Sequence, residues 1–299
     1  MQSVISKLQN EFDLILLIIN NIERYSSCVQ KAMVDSVNKG ITPENIPKTC
    51  FEDGVTHSEQ LEKHLEFIEF LIQWSYGEVQ LGNANIDKLW KLFVTHSAFE
   101  FDRNLFFKWL TKEKFASTMS QGKEYRRVFS TEEREYLFSS IFCNADVVDA
   151  KSISYNCFKC FEKYFGFYNR EKEFVHYFKG HYTIYHFESL EGLKTLWEIV
   201  IKSEDEKVKE ESSTLLCTLH FNLYENSYDM DKRFNIWKIF IAQWLHYLNI
   251  KKERKIINSA IMLLIKFFDV YDGRGINLSN VNSSTSFPVH IYCQDDGSK

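Results

Sequence analysis

The sequence predicts an all-α protein, an irregular helical-repeat solenoid, and three observations carry that reading. Glycine and proline together supply only fourteen of 299 residues, against roughly 12% in an average chain, and strand-rich folds depend on both for their turns. Phe, Tyr and Trp number 26, 15 and 6, far too many for disorder through low hydrophobicity. Three stretches share one pattern, Leu89-Trp90, Leu196-Trp197 and Ile236-Trp237, each followed by apolar residues, and the last two Trp stand 40 residues apart. Forty is the period of a helix pair of armadillo or HEAT type. No such pair buries its apolar face alone, so stacking on neighbours must supply the core.

The elements follow in order. Helices are expected near 3–25, 57–76, 84–97, 102–115, 131–143, 150–166, 188–202, 205–223, 231–249 and 252–271. Thr56 with Glu59, Ser130 with Glu133, and Ser203 with Glu206 read as capping boxes: the hydroxyl accepts from a first-turn amide and the Glu reaches back to the cap. After Thr56, Leu61, Leu65, Ile68 and Ile72 recur at helical steps. Loops are expected at 36–56, 77–83, 116–129, 167–187 and 224–230, and Gly and Ser mark 272–286 as a linker. Beyond it, Phe287 to Cys293 partly alternates like a short β-strand. The expected organisation is an N-terminal helix and Pro-containing loop over 1–56, the armadillo/HEAT-like domain over 57–271, the linker, and the start of a further domain over 287–299. No Pro occurs between Pro47 and Pro288, as an uninterrupted stack of helices requires.

A net charge of −5 suits a nucleic-acid partner poorly, because phosphate contacts need clustered Lys and Arg. The short basic runs at Arg126-Arg127 and Lys251 to Lys255 read as solvated helix faces. Seven cysteines, an odd number set mostly in helical patterns, suit reduced buried thiols. The apolar run Leu14 to Ile19 is far short of the roughly 20 residues of a membrane span, and acidic Glu11 and Asp13 before it do not fit a signal peptide. A cytoplasmic protein with no membrane contact is expected.

The sharpest chemical pattern is Cys157-x2-Cys160 followed by His176, His181 and His186. Two thiolates and two imidazoles at this spacing sit at the edge of zinc-finger geometry. Against that, both Cys lie in one amphipathic helical pattern with no glycine knuckle, and Cys is common in helical cores. The His cluster reads as an aromatic-rich connection packed over helix ends. Glu100, Asp102 and Arg103 could be drawn as an acid/base set, but an Asp at a helix start is favourable through the macrodipole alone. Neither a nucleophile elbow nor a phosphate loop nor a His-Glu-x-x-His pair is present. No catalytic, cofactor-binding or metal residue is assigned, and no cofactor is expected.

A further set of residues carries a resemblance. Leu65, Phe67, Ile68, Phe70 and Leu71 lie on one helix; Leu89-Trp90 and Val94 follow; then come Asp102-Arg103 and Phe107-Lys108-Trp109, Cys157-Phe158, Tyr164-Phe165, and Gly192-Leu193 with Leu196-Trp197. This order resembles the long helical region of the giant fat-facets-like ubiquitin-specific proteases, which are cysteine deubiquitinases. The resemblance covers roughly 57–223. It implies an armadillo-like, non-catalytic region upstream of a protease domain, with a ubiquitin-like domain after part of it, which the strand at Phe287 to Cys293 would begin. The loops 116–129 and 167–187 depart from the pattern, and the Cys and His boxes of the protease domain are absent, so no catalytic residue is carried over. The expected function is a scaffold that binds ubiquitinated substrates or adaptors for a thiol-dependent ubiquitinyl hydrolase outside this sequence. A free-standing armadillo-like adaptor is the alternative, and a zinc-stabilised module on Cys157, Cys160, His176 and His181 is the third reading.

Overall fold

A computed structural model of the chain describes residues 2–39, 56–75, 78–112, 129–178, 181–250 and 254–273. The linker and the strand expected at 287–293 lie outside these residues. Helix α1 spans Gln2–Phe12 and α2 Leu14–Asn38. The sequence suggests one helix over 3–25; Asp13 divides it. Its backbone turns left-handed at φ 46°, and its carboxylate accepts from the Leu16 amide at 3.3 Å, opening a second helix. That helix then runs past the expected end at 25 to Asn38, with Ile15, Ile18, Ile19, Ile22 and Val29 on its buried face, and most of the loop expected at 36–56 lies outside the described residues.

Helix α3 spans His57–Trp74, and the Thr56–Glu59 capping box forms as expected, Thr56 N–H donating to Glu59 at 2.9 Å and Glu59 N–H to Thr56 Oγ1 at 3.3 Å. Helix α4 covers Asn83–Trp90 and passes into a π-helical turn over Lys91–Thr95; α5 is Glu100–Leu110. Helix α6, Thr131–Tyr136, has the Ser130–Glu133 box and likewise ends in a π-helical segment, Leu137–Phe142. The wider turns are closed by His96 N–H to Lys91 O at 2.7 Å and Cys143 N–H to Phe138 O at 2.9 Å. Helix α7 is Tyr155–Glu171, α8 Leu193–Lys202, α9 Glu206–Phe221, α10 Met230–Ile250 and α11 Arg254–Gly273. The third expected box is replaced: Asp205, not Ser203, caps α9, its carboxylate accepting from Lys207 and Val208 at 2.9 and 3.1 Å.

The stretch 167–187, expected to be a loop, holds the end of α7, an antiparallel hairpin of β1 (Val175–Phe178) and β2 (His181–Ile184), and a 3-10 turn at Phe187–Ser189. Val175 pairs with Ile184 and Tyr177 with Tyr182. Ile184 reaches further: its N–H donates to Asn222 O and its carbonyl accepts from Tyr224 N–H, both at 2.8 Å, as an isolated parallel bridge to Leu223. The hairpin thus ties the end of α7 to the end of α9.

Among the described residues the helices form five consecutive pairs, α2/α3 to α10/α11, and the second helix of each pair packs on the second helix of the next. Adjacent pairs share polar links. Glu133 caps α6 with one carboxylate oxygen and accepts from Gly82 N–H, at the start of α4, with the other at 2.6 Å. The Tyr136 hydroxyl donates to Asp87 at 2.6 Å, which lifts its pKa to about 12. One apolar core runs from Ile5 to Phe267. All three Trp of the repeated pattern are in it: Trp90 meets Phe106, Phe107 and Phe142 edge-on, Trp197 lies against Phe240, and the indole N–H of Trp237 donates to His220 O at 3.0 Å. Among the described residues no helix is long and apolar enough to cross a membrane.

Candidate interaction surface

Of the residues weighed above as catalytic or metal-binding, Asp102, Cys157 and Cys160 are buried in the core, while Glu100, Arg103 and the three His are exposed. Ser154 caps α7 by accepting from Cys157 N–H at 3.3 Å, which sets Cys157 and Cys160 on the first inward-facing turns of that helix. Both thiols are buried, and the Cys160 sulfur lies 3.2 Å from Phe107 O. Burial pushes the Cys157 thiol up to about 12 and Cys160 well above its ordinary value, the reverse of what a metal ligand or nucleophile requires. His176, His181 and His186 are exposed on and after the hairpin, so thiols and imidazoles do not converge. Among the described residues no group of three His, Cys, Asp or Glu is placed to hold a metal ion.

Asp102 is buried, and both its oxygens are in use. One accepts from the amides of Ala98 and Phe99 at 3.2 and 3.1 Å, opening α5; the other meets His57 Nε2 at 3.1 Å. His57 Nδ1 in turn lies 2.8 Å from the Tyr25 hydroxyl, and the rings of Phe99 and Phe101 close over the imidazole edge-on. An imidazole donating from Nε2 to the carboxylate and accepting at Nδ1 satisfies all three groups. The chain of bonds fastens α2, α3 and α5 together.

The second helices, α3, α5, α7, α9 and α11, form a row linked by polar contacts. Glu69 of α3 pairs with Lys112 after α5 at 3.2 Å. Asn156 of α7 donates to Asn104 of α5 at 2.8 Å, and Lys163 of α7 donates to Thr111 O. Glu211 of α9 accepts from Tyr155 and Lys159 of α7 at 2.7 and 3.0 Å. Lys266 of α11 donates to Glu210 O at 2.9 Å. Partial burial works against the Lys159 charge, but Glu162 and Glu211 outweigh it and its pKa rises; burial likewise opposes the Glu211 charge, and the bonds from Tyr155 and Lys159 still hold its carboxyl low. Paired charges in a network of this kind hold a surface in one arrangement.

At one end of the row, α3 inverts the usual polarity. Glu69 is buried at 7% exposure, while Phe67, Phe70 and Trp74 stand 49%, 38% and 43% exposed. Glu69 turns inward because Lys112 and Gln73 receive it. The three aromatics follow at steps of three and four, so they share one helix face. Their rings touch in series, with centroids 6.2 Å apart from Phe67 to Phe70 and 5.8 Å from Phe70 to Trp74. The sequence held a signal for this stripe: the core positions Leu61, Leu65, Ile68 and Ile72 already cover the inward face, so large aromatics out of phase with them must point elsewhere.

The comparison with known proteins bears on this surface. The family described as the UBP24/USP9X/USP9Y ARM repeat matches residues 1–169. "Probable ubiquitin carboxyl-terminal hydrolase FAF" of Drosophila melanogaster is 23% identical over 231 residues, which cover 75% of this chain and 8% of that protein. "Ubiquitin carboxyl-terminal hydrolase 24" of Mus musculus and of Homo sapiens are each 22% identical over 241 residues, 78% of this chain and 8% of theirs. The chain therefore spans about 8% of the length of these curated relatives. The stacked helix pairs agree with the repeat the family description names, and the chain belongs to the UBP24/USP9X/USP9Y ARM repeat family.

Proposed function

We propose that this chain is a non-catalytic protein-binding scaffold, the armadillo-like part of a ubiquitin-specific protease whose hydrolase chemistry resides elsewhere. The observation that carries the reading is the row of second helices: side chains bonded from each helix to the next give an extended face whose geometry is set before any partner arrives. Preorganised surfaces lose less entropy on binding, and stacked repeats offer long continuous ones. Its partners are proteins, either ubiquitinated substrates or adaptors that deliver them. The burial of Cys157 and Cys160, with their thiols raised, supports hydrolysis of the ubiquitin C-terminal bond by a thiolate outside this sequence.

The test has two arms. The purified chain is incubated with a fluorogenic ubiquitin C-terminal substrate, and no turnover is expected; cleavage at an enzymatic rate overturns the reading. Crosslinking mass spectrometry with co-purified partners is expected to place crosslinks on α5, α7 and α9 along the bonded row. Crosslinks confined to the first helices of the pairs would also overturn it.

A further inference from the structure

We propose that the exposed face of α3 formed by Phe67, Phe70 and Trp74 is a docking site for a basic amphipathic helix of a partner protein. The inference rests on the scaffold reading and names the chemistry of one ligand.

Three observations favour a helical partner. The anchors stand at i, i+3 and i+7 on a single face, the spacing with which one helix reads another. The stripe is preformed, because ring lies against ring from Phe67 to Trp74; little side-chain freedom is left to lose on binding. The helix beneath is fixed in rotation, with Leu65, Ile68, Leu71 and Ile72 buried on its inner side and Glu69 clamped by Lys112. Aromatic anchors on a rigid support are the typical composition of binding hot spots.

Charge selects the partner's sign. Along the same helix Glu59, Glu62 and Glu66 are exposed, against one exposed cation, Lys63. A helix that buries apolar residues on the stripe therefore meets a net acidic rim, and Lys or Arg beside its apolar face complete the match. An acidic helix meets repulsion at the same positions.

The test uses the whole chain and a defined probe: a short helical peptide of Leu and Lys, with Leu at i, i+3, i+4 and i+7. A matched peptide carrying Glu for Lys is the control. Of the six Trp, Trp74 is exposed, Trp244 is part-buried and the others are buried, so the acrylamide quenching that is lost in Trp74→Ala reports this face. The Leu/Lys peptide is expected to protect Trp74 from quencher and to bind roughly tenfold more tightly than the Leu/Glu peptide. Binding measured by calorimetry is expected to weaken about 30-fold in Trp74→Ala, the size of a hot-spot truncation. Lys63→Glu, which adds an acid to the rim, is expected to tighten the Leu/Lys peptide several-fold, and it carries the test should Trp74→Ala melt early. Equal binding of the two peptides, or affinity unchanged in both variants, overturns the inference. So does sedimentation showing a dimer that Trp74→Ala dissolves, since a second copy would then occupy the face. If the peptide fails while crosslinks still fall on α5, α7 and α9, the scaffold reading stands and only the α3 site falls. If the chain cleaves ubiquitin, the scaffold reading falls whatever the peptide does.

Discussion

Replacing Gly192 by Ala tests the joint between the third and fourth helix pairs. Gly192 sits at the start of α8 with φ +80°, and its carbonyl accepts from Leu196 N–H at 3.0 Å, opening the helix. An added Cβ would lie 2.5 Å from Phe138 Cζ, 3.3 Å from Phe138 Cε2 and 3.2 Å from Phe165 Cδ2. Neither ring has room to swing away, because Phe138 packs against Phe161, Phe165 and Tyr168, with centroids 6.1, 6.2 and 4.9 Å away. The left-handed backbone costs an L-residue about 1–2 kcal/mol, and overpacking a full core a further ~1–3 kcal/mol. The loss expected is therefore roughly 2–5 kcal/mol, or a Tm lowered by roughly 4–20 °C for a chain of this size. Gly82→Ala separates the two costs. Gly82 also has a positive φ, +78°, but a Cβ there meets nothing within 4 Å, so only backbone strain of about 1–3 kcal/mol applies. Thermal and urea unfolding of G192A, G82A, F138L and the G192A/F138L double variant complete the measurement. Shrinking Phe138 should recover about 1–2 kcal/mol of the G192A loss as a coupling energy. A double variant whose loss is the sum of the singles, or a G192A Tm within a degree or two of the parent's, refutes the clash.

Four further outcomes are expected. Glu173 holds φ 61° at the end of α7, where Phe174 N–H returns to Asn169 O at 2.8 Å and Glu173 N–H to Arg170 O at 3.0 Å; this is a Schellman closure that favours glycine, so Glu173→Gly should raise the urea midpoint by the equivalent of about 0.5–1 kcal/mol. Burial pushes His220 down to about 4, against a weaker upward pull from Leu216 O; the unfolded chain then binds the proton more readily, so stability is full above pH 6.5 and falls toward pH 4 by roughly 3 kcal/mol, and His220→Gln should flatten that part of the profile. Iodoacetamide labelling mapped by mass spectrometry should modify exposed Cys28 readily in the folded chain and spare Cys157, Cys160 and Cys217, all buried, until denaturant is added. Asp102→Ala strands two amides and the His57 imidazole and should cost about 2–4 kcal/mol in chemical unfolding; a loss below 1 kcal/mol would mean that the α2–α3–α5 fastening is dispensable.

Much of this architecture could be read from local chemistry. Thr56 and Ser130 announce their helices because a hydroxyl and a Glu three residues on act within one turn, and the Trp of Leu89-Trp90, Leu196-Trp197 and Ile236-Trp237 are buried because apolar period alone commits them. The misses came where the deciding contact lies outside the window. Asp13 breaks α1 from α2 through a left-handed backbone that non-glycine residues rarely adopt. Asp205 displaces Ser203 as cap although both are good caps, and nothing local ranks them. The hairpin escapes overall composition: a low glycine count says little about a single Lys179-Gly180 step flanked by the alternating Val175, Tyr177, Tyr182 and Ile184. The candidate surface on α3 is legible in part, as aromatics out of phase with the core positions Leu61, Leu65, Ile68 and Ile72. Which of them face outward depends on Glu69 turning in, and that depends on Lys112, which is distant in sequence.

The bridge at Ile184 has a mechanical meaning. A stack of helix pairs pulled from one end should yield pair by pair, since each holds mainly to its neighbours. Between the third and fourth pairs, however, two backbone hydrogen bonds join β2 to the strand-like residues after α9. Under tension applied beyond α11, the last pair is held by side-chain bonds such as Trp237 to His220 O and Lys266 to Glu210 O, while the fourth is stitched to the third by backbone bonds that any residue but proline at Ile184 and Tyr224 leaves intact. An optical-trap record would then show an early small release, a plateau, and a larger rupture, with the hairpin acting as a catch along the stack.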